Sequence, residues 1–186
     1  MIGGADGFIF RYTEQDFSMS RPILTGYRPG AIGRITELHG SYYGKEWGFD
    51  LFFESKVASE MAAFLSAFEA SRDGFWLVMV NGDIAGSVAI VGPRDRDQSA
   101  RLRWFIVAPE HQGKGLGMLL LEEAISFCRK ANFREVYLTT FAGLDPARHL
   151  YEKCGFRLCN EAPDDHWGKV VREQEFRLRL RAPGRE

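Results

Sequence analysis

Apolar positions along the chain follow a helical period in some segments and a strand-like pattern in others. Within residues 32–42 and 57–68, apolar side chains recur every three or four positions, which predicts two amphipathic helices. Dense or alternating apolar runs rich in β-branched and aromatic residues predict strands instead, at 75–80, 84–91 and 101–107. In the last of these, alternation places Leu102, Trp104 and Ile106 on one face of the strand.

The second half of the chain repeats the two patterns with clear start and stop signals. A long amphipathic helix is predicted from about Gly115, and a strand at 136–141 follows it. Asp145 and Pro146 then open a helix, with Asp145 as its N-cap, and Gly155 is suited to the left-handed position that ends it. Further strands are predicted at 23–28, 156–158 and 170–180.

The predicted order of elements is β-α-α-β-β-β-α-β-α-β-β, which indicates an α/β (α+β) domain around a central mixed, mostly antiparallel sheet with four helices. The regular alternation of a doubly wound sheet is absent from this order. We predict an N-terminal extension at residues 1–22, with a weak strand signal at 8–12, one domain at 23–181 and a tail at 182–186. The charged stretch 94–98 is predicted to form a hairpin tip.

Composition narrows the class of protein. The chain has 186 residues, with 25 acidic and 24 basic side chains, and this balance gives no electrostatic basis for binding nucleic acid or an anionic membrane. The beginning of the chain has neither a basic nor an apolar segment typical of a signal peptide, so a cytoplasmic protein is expected. The cysteines are odd in number and widely spaced, which argues against a disulfide framework or a zinc site: Cys128, Cys154 and Cys159.

The segment 112–117 carries the strongest chemical signal. It reads Gln112-Gly113-Lys114-Gly115-Leu116-Gly117 and joins a predicted strand to a predicted helix. Glycines let the backbone turn tightly and let a ligand approach, while the first amides of the helix lack partners within the helix. With the helix dipole, these amides predict a phosphate or pyrophosphate site, to which Lys114 adds a charge. A glycine turn without a ligand is the alternative, and the spacing fits neither a dinucleotide-binding loop nor a P-loop.

The spacing Gln-x-x-Gly-x-Gly resembles the signature of the GNAT superfamily of N-acetyltransferases. The preceding segment 105–109 is similar to that family's strand before the loop, and 147–156 is similar to its helix that carries a tyrosine and closes on Gly-Phe. From about residue 23 onward the chain also resembles acetyltransferase domains fused behind MarR-type regulators. Because 22 residues are too few for a winged helix, a free-standing transferase is expected.

The resemblance implies the GNAT fold and acetyl-CoA as the co-substrate, with no metal. It implies that the pyrophosphate lies on amides of Gln112, Gly113, Lys114, Gly115, Leu116 and Gly117. The pantetheine arm would lie along Phe105, Ile106 and Val107, where the family's strand splays from its neighbour. A main-chain N–H near Val107 would then face the acetyl oxygen as an oxyanion-type donor.

Tyr151 is the predicted general acid, since a phenol beside the sulfur can give the leaving thiolate a proton or a hydrogen bond. A tyrosine that merely packs between helix and sheet is the alternative. Many relatives place a glutamate on the strand before the loop, where this chain has arginines, so the general base stays open. A bound water, an amine that arrives neutral, and four side chains are candidates: Glu37, His39, Glu46 and Asp50.

The acceptor is expected to be a small-molecule or peptide amine, and the oligomeric state, a homodimer included, is left open. Two other functions compete with an N-acetyltransferase, namely a non-catalytic acyl-CoA-binding module and a partner-binding protein with an unused cleft. An aromatic group near the first two helices is predicted to wall the acceptor site or to form ordinary core: Tyr42, Tyr43, Trp47, Phe49, Phe52 and Phe53.

Overall fold

The computed structural model of the protein describes residues 21–94 and 99–180, and the predicted strand at 8–12 and most of the tip at 94–98 lie outside them. The predicted order of elements is confirmed, with a short 3-10 turn at Pro109–His111 in addition. The strands are β1 Ile23–Thr25, β2 Gly74–Val80, β3 Asp83–Val91, β4 Ser99–Val107, β5 Glu135–Phe141, β6 Arg157–Asp164 and β7 Val171–Arg179. The helices are α1 Ala31–Trp47, α2 Leu51–Ser66, α3 Leu116–Lys130 and α4 Asp145–Lys153.

Seven strands of the described residues form one sheet in the order β1-β2-β3-β4-β5-β7-β6, and among these pairs only β4–β5 is parallel. One hydrophobic cluster lies between the sheet and α1 and α2, and the other lies between the sheet and α3 and α4. The predicted fold class is therefore confirmed as three layers around a mixed sheet. None of the helices within the described ranges has the length and apolarity that a membrane crossing requires.

The sheet opens in its middle. β4 pairs with β5 only from Ser99 to Arg101, and beyond that point β4 continues to Val107 without β5 beside it. On its other edge β4 stays paired with β3 as far as Val107. One edge of β4 is thus free of a partner strand over its last residues, which is the splay that the family resemblance implies.

A β-bulge at Trp104 changes which way β4 side chains point. Trp104 has a φ of 46°, and the β3–β4 register shifts between Ser87 and Ala89. The buried Ser87 hydroxyl donates a hydrogen bond of 2.7 Å to the Trp104 carbonyl and fixes the bulge. Leu102 therefore packs toward α3, whereas Trp104 and Ile106 pack toward α1 and α2, so the predicted common face is wrong.

The end of α4 is fixed by its own backbone. Gly155 has a φ of 94°, its N–H bonds the Glu152 carbonyl at 3.0 Å, and the Phe156 N–H bonds the Tyr151 carbonyl at 3.0 Å. This pair of bonds is a Schellman motif, which satisfies the last carbonyls of a helix. The start differs from the prediction, because Leu144 is the N-cap and Asp145 lies in the first turn. Tyr151 is consequently held in the last turn of α4.

Candidate active site

The glycine loop joins the open end of β4 to the N-terminus of α3. Gly113 and Gly115 have φ values of 73° and 82°, and a Cβ atom at either position would meet no atom within 4 Å. Gly115 is the N-cap of α3, so the first amides of this helix lie beside open space. The Gln112 side chain donates a hydrogen bond of 3.0 Å to the Val107 carbonyl and ties the loop to β4.

The third glycine of the loop is required for a different reason. Gly117 is buried, and a Cβ atom there would lie 2.9 Å from Leu150 Cδ1 and 3.3 Å from Phe105 Cζ. Its small size lets α3 pack closely against α4 and β4. The loop therefore combines two glycines that leave backbone accessible with one that permits close packing.

A groove of about 320 Å³, called the cofactor groove below, runs between the loop, the open edge of β4 and α4. Lys114 does not line it, since its Nζ donates a hydrogen bond of 2.9 Å to the Glu110 carbonyl. The other residues predicted from the resemblance do line it, together with Tyr151: Phe105, Ile106, Val107, Gln112, Gly113, Gly115, Leu116 and Gly117.

The strand geometry indicates which amides of β4 face the groove. The Ala108 N–H bonds the Ala85 carbonyl of β3 at 2.8 Å. Because successive N–H groups of a strand point to opposite edges, Ile106 directs its N–H toward β3, and Phe105 and Val107 direct theirs toward the open edge. An extended ligand lying in the groove can thus pair with β4 as an added strand does.

Tyr151 lies where the groove meets α4. Its side chain is 5% exposed and its ring contacts Phe105, Phe156 and Phe176, with centroids 5.7, 6.1 and 6.0 Å away. Within the described residues its hydroxyl has no hydrogen-bond partner, and it is not sealed from the cavity. Burial, with a smaller effect from Tyr43, raises the pKa of Tyr151 well above its ordinary value, so the hydroxyl remains a proton donor at neutral pH.

A second cavity of about 150 Å³, called the acceptor cavity below, adjoins the groove. The two spaces share Tyr43, Phe105, Leu144 and Tyr151, so Tyr151 lies at their junction. Of the predicted aromatic group, Tyr43 and Phe53 line this cavity and Tyr42 lines the groove, whereas Phe52 is 55% exposed. Trp47 and Phe49 pack behind the wall, against Tyr43 and Phe141.

A carboxylate that the sequence analysis missed enters the acceptor cavity from α2. Glu60 forms an ion pair with Lys56 at 2.9 Å and another with Arg103 of β4. Burial raises its pKa, but the hydrogen bonds from Lys56 and Arg103 outweigh this effect and leave it below its ordinary value. Glu60 is thus an ionised carboxylate that two cations already share. The spacing of Lys56 and Glu60 shows an ordinary helical ion pair and gives no sign of the cavity.

Among the four side chains considered as a general base, only His39 lines the acceptor cavity. It is buried, and its Nδ1 lies 2.8 Å from the Ile35 carbonyl, so Nδ1 carries the proton and Nε2 is left as an acceptor. Burial, opposed by this hydrogen bond, lowers its pKa from 6.5 to about 4. The other three are exposed: Glu37 and Glu46 pair with Arg34 and Lys45, and Asp50 caps α2.

The lowered pKa of His39 makes stability depend on pH. Between pH 6.5 and 4 the unfolded chain takes up a proton at this side chain and the folded protein does not, so stability falls as the pH drops through that window. The unfolding free energy of both proteins, wild type and His39→Gln, should fall between pH 7.5 and 4.5. The fall should be about 2 to 3 kcal/mol smaller in His39→Gln than in wild type, because the variant lacks this titrating group. Urea unfolding at both values measures this, with the exposed His149→Gln as control, and equal losses in all three proteins would contradict it.

One group of side chains in the described residues has the composition of a metal site. Asp164, His166 and Glu173 place one ligand atom each within 4.8 Å of one another. However, His166 Nδ1 already contacts Asp164 and its Nε2 lies 3.2 Å from Glu173. Both ring nitrogens of His166 therefore already have a carboxylate partner. We therefore assign this group the role of holding His166 and Trp167 at the rim of the acceptor cavity.

Comparison with known proteins gives a family that fits the geometry of the groove and the acceptor cavity. The sequence model of the acetyltransferase (GNAT) family matches residues 33–156, more than half of the chain, and the chain belongs to that family. Members of the family use acetyl-CoA. The likeness to domains fused to MarR-type regulators stays a prediction.

Two curated relatives match about half of the chain. The chain is 34% identical over 90 residues to N-acetylaspartate synthetase of Danio rerio, a match covering 48% of the chain and 32% of that protein. It is 33% identical over 91 residues to streptothricin acetyltransferase of Streptomyces lavendulae, covering 49% of the chain and 48% of that protein. The chain thus spans about a third of the first relative and about half of the second.

Solved structures share the fold over nearly the whole domain. A structure from Salmonella typhimurium, described as an acetyltransferase with its cofactor acetyl-CoA, aligns with a TM-score of 0.71 and 18% identity over 90% of this chain and 98% of that one. An acetyltransferase of the GNAT family from Staphylococcus aureus aligns with a TM-score of 0.69 and 20% identity, over 86% of this chain and 99% of that one. At these identities the likeness concerns the fold alone.

Proposed function

We propose that the protein is an N-acetyltransferase that moves the acetyl group of acetyl-CoA to a primary amine by direct attack in a ternary complex. The observation that carries this proposal is the meeting of two cavities at Tyr151, beside the open edge of β4. One cavity has the backbone donors that a phosphopantetheine chain needs, and the other is large enough for a small amine. The protein would accelerate the reaction chiefly by holding both reactants in attack geometry.

The groove suits each part of the coenzyme. The amides at the start of α3, with the helix dipole behind them, would bind the diphosphate beside Gly113 and Gly115. The open edge of β4 would bind the amides of the pantetheine arm. The Phe105 and Val107 N–H groups are then the candidates for polarising the thioester carbonyl, which gains negative charge when the amine attacks.

The chemistry needs one proton delivered and one removed. As the new C–N bond forms and the C–S bond breaks, the Tyr151 hydroxyl would donate to the departing sulfur. The amine loses a proton to water or to an acceptor at the cavity wall. His39 Nε2 can accept a hydrogen bond there, but with a pKa of about 4 it is a weak base for the whole proton.

The cysteines support direct attack over an acetyl-enzyme. None of the three, all within the described residues, lines the groove or the acceptor cavity. Burial raises the pKa of Cys128 to about 12 and also raises that of Cys154, so neither forms a thiolate readily at neutral pH. A covalent route through a cysteine is therefore disfavoured.

Turnover separates this proposal from a binding module that makes no product. Incubation with acetyl-CoA and a panel of amines should release free thiol in step with the acetylated amine, measured by thiol titration and mass spectrometry. Acetyl-CoA incubated with the protein alone should leave the mass of the protein unchanged. Calorimetric binding of acetyl-CoA without thiol release from any amine would favour the binding module instead.

A further inference from the structure

The acceptor cavity carries an imbalance of charge. Its lining has three lysine or arginine side chains, Lys56, Arg101 and Arg103, but only one carboxylate, Glu60. Glu60 already pairs with Lys56 and with Arg103. His166, which also lines the cavity, is paired with two carboxylates of its own. Of these cations, Arg101 is the one that forms no ion pair with a carboxylate of the described residues.

The Arg101 guanidinium has one N–H donor without a partner among the described residues. Its Nη2 donates to the Thr139 hydroxyl at 3.0 Å, while its Nε is shielded from solvent and has no partner among the described residues. Burial, with a smaller effect from the charge of Arg103, lowers its pKa, and the weaker attractions of Tyr137, Glu60 and Glu173 do not offset this. A half-buried guanidinium next to a second cation would be stabilised by an anion that enters the cavity.

The side chain also leans in the direction of the reaction centre. In the parallel β4–β5 register Arg101 lies opposite Tyr137, yet its guanidinium bonds Thr139, two residues further along β5. Both strands run from there toward the open end of the sheet, where β4 reaches Phe105 beside Tyr151. An anion bound by Arg101 would therefore lie in the same cavity that extends to Tyr151.

We propose that the acceptor is an amino carboxylate of amino-acid size, with its carboxylate bound by Arg101 and its amine directed toward Tyr151. This inference rests on the proposed function. A planar guanidinium can bind a carboxylate through two parallel hydrogen bonds, which a hydroxyl or an amide cannot match. The aromatic wall of Tyr43, Phe53 and Trp167 would pack against the apolar part of the molecule.

The same charges disfavour other acceptors. A polyamine or an aminoglycoside brings several positive charges into a cavity that already holds a surplus of them. A positive surrounding also lowers the pKa of the incoming amine and favours its neutral, nucleophilic form. Loss of the amine proton is the step for which many relatives place a glutamate on this strand, and this chain has none there. The surplus positive charge would assist that step once a carboxylate has anchored the molecule in the cavity.

The test compares acceptors that differ only in the carboxylate. The proteinogenic amino acids, β-alanine and γ-aminobutyrate are assayed by thiol release, each substrate beside the amine formed by its decarboxylation, with spermidine as a polycation. Wild type should prefer the amino carboxylate in kcat/KM. Arg101→Gln should lower kcat/KM for it by about 10- to 100-fold, mostly through KM, and should change the decarboxylated amine by less than about threefold. Arg101→Lys should lie between the two.

Arg177→Gln is the matched control. Arg177 is also a guanidinium on this face of the sheet, 5.6 Å from the Tyr137 ring against 5.9 Å for Arg101, but it does not line the cavity. It should keep the preference for the carboxylate. Unchanged melting and acetyl-CoA affinity would show that Arg101→Gln is folded.

The outcomes separate the two proposals. Turnover that favours spermidine or the decarboxylated amines, or an equal loss for both members of a pair in Arg101→Gln, would overturn the carboxylate site and leave the acetyltransferase intact. If no amine turns over, the acetyltransferase proposal fails, and calorimetry with the CoA-bound protein decides the site. Binding of amino carboxylates that weakens in Arg101→Gln supports it, and equal binding of the decarboxylated amines refutes it.

Discussion

Gly115→Glu is expected to weaken the binding of acetyl-CoA by about 100-fold or more, which is ~3 kcal/mol. Gly115 has a φ of 82°, where a side chain adds strain, and a Cβ atom there would point into open space. The new carboxylate would occupy the position proposed for the diphosphate and compete for the same amides. Isothermal titration calorimetry with acetyl-CoA measures the loss directly.

Gly30→Glu is the control that separates the effect of backbone strain from the effect of a carboxylate in the cofactor groove. Gly30 is also a left-handed N-cap, at the start of α1, with a φ of 89°, and a Cβ atom there would meet no atom within 4 Å. It receives the same charge and the same strain outside the cofactor groove. It should bind acetyl-CoA like wild type, and an equal loss in both variants would show that the effect arises from backbone strain.

Tyr151→Phe is expected to lower kcat by about 100-fold or more, the range that removal of a general acid gives. The affinity for acetyl-CoA should change little, because the phenyl ring keeps its packing against Phe105, Phe156 and Phe176. Steady-state kinetics and calorimetry read the two quantities separately. Tyr27→Phe, which removes the hydroxyl of a tyrosine that is 56% exposed, should behave like wild type.

The pH dependence of kcat is a second test of the role of Tyr151. Burial holds its pKa above the ordinary value of 10.0, so the hydroxyl stays protonated past that pH. As the pH rises toward 10, kcat of wild type should therefore not fall through loss of this proton. Mass spectrometry of the acetylated product measures kcat across this range. Full turnover of the phenylalanine variant across the same pH range would show that Tyr151 is a packing residue.

Features that depend on adjacent residues could be predicted from the sequence. The glycine loop and the left-handed end of α4 are set by the conformational freedom of Gly113, Gly115 and Gly155, which short motifs reveal. The helices and strands follow from apolar periodicity, because each element buries one face. The opening of β4 was expected only through the family resemblance.

Features that depend on distant parts of the chain could not be predicted in this way. The bulge at Trp104 has no local signal, because a tryptophan rarely adopts a positive φ, and it is the Ser87 hydroxyl across the sheet that holds it. Glu60 meets Arg103 across 43 positions of sequence, so its place in the cavity follows from how α2 packs on the sheet. The rim residue Trp167 likewise reaches the cavity only through the β6–β7 turn.

The open edge of β4 and the amides around Gly115 should together hold acetyl-CoA with its sulfur at Tyr151. A crystal structure of the protein with acetyl-CoA tests this most directly. We expect the diphosphate within hydrogen-bond distance of the main-chain amides at 113–117, and the thioester sulfur beside the Tyr151 hydroxyl. Coenzyme bound elsewhere, with the loop amides facing solvent and Tyr151 remote from the sulfur, would contradict the account.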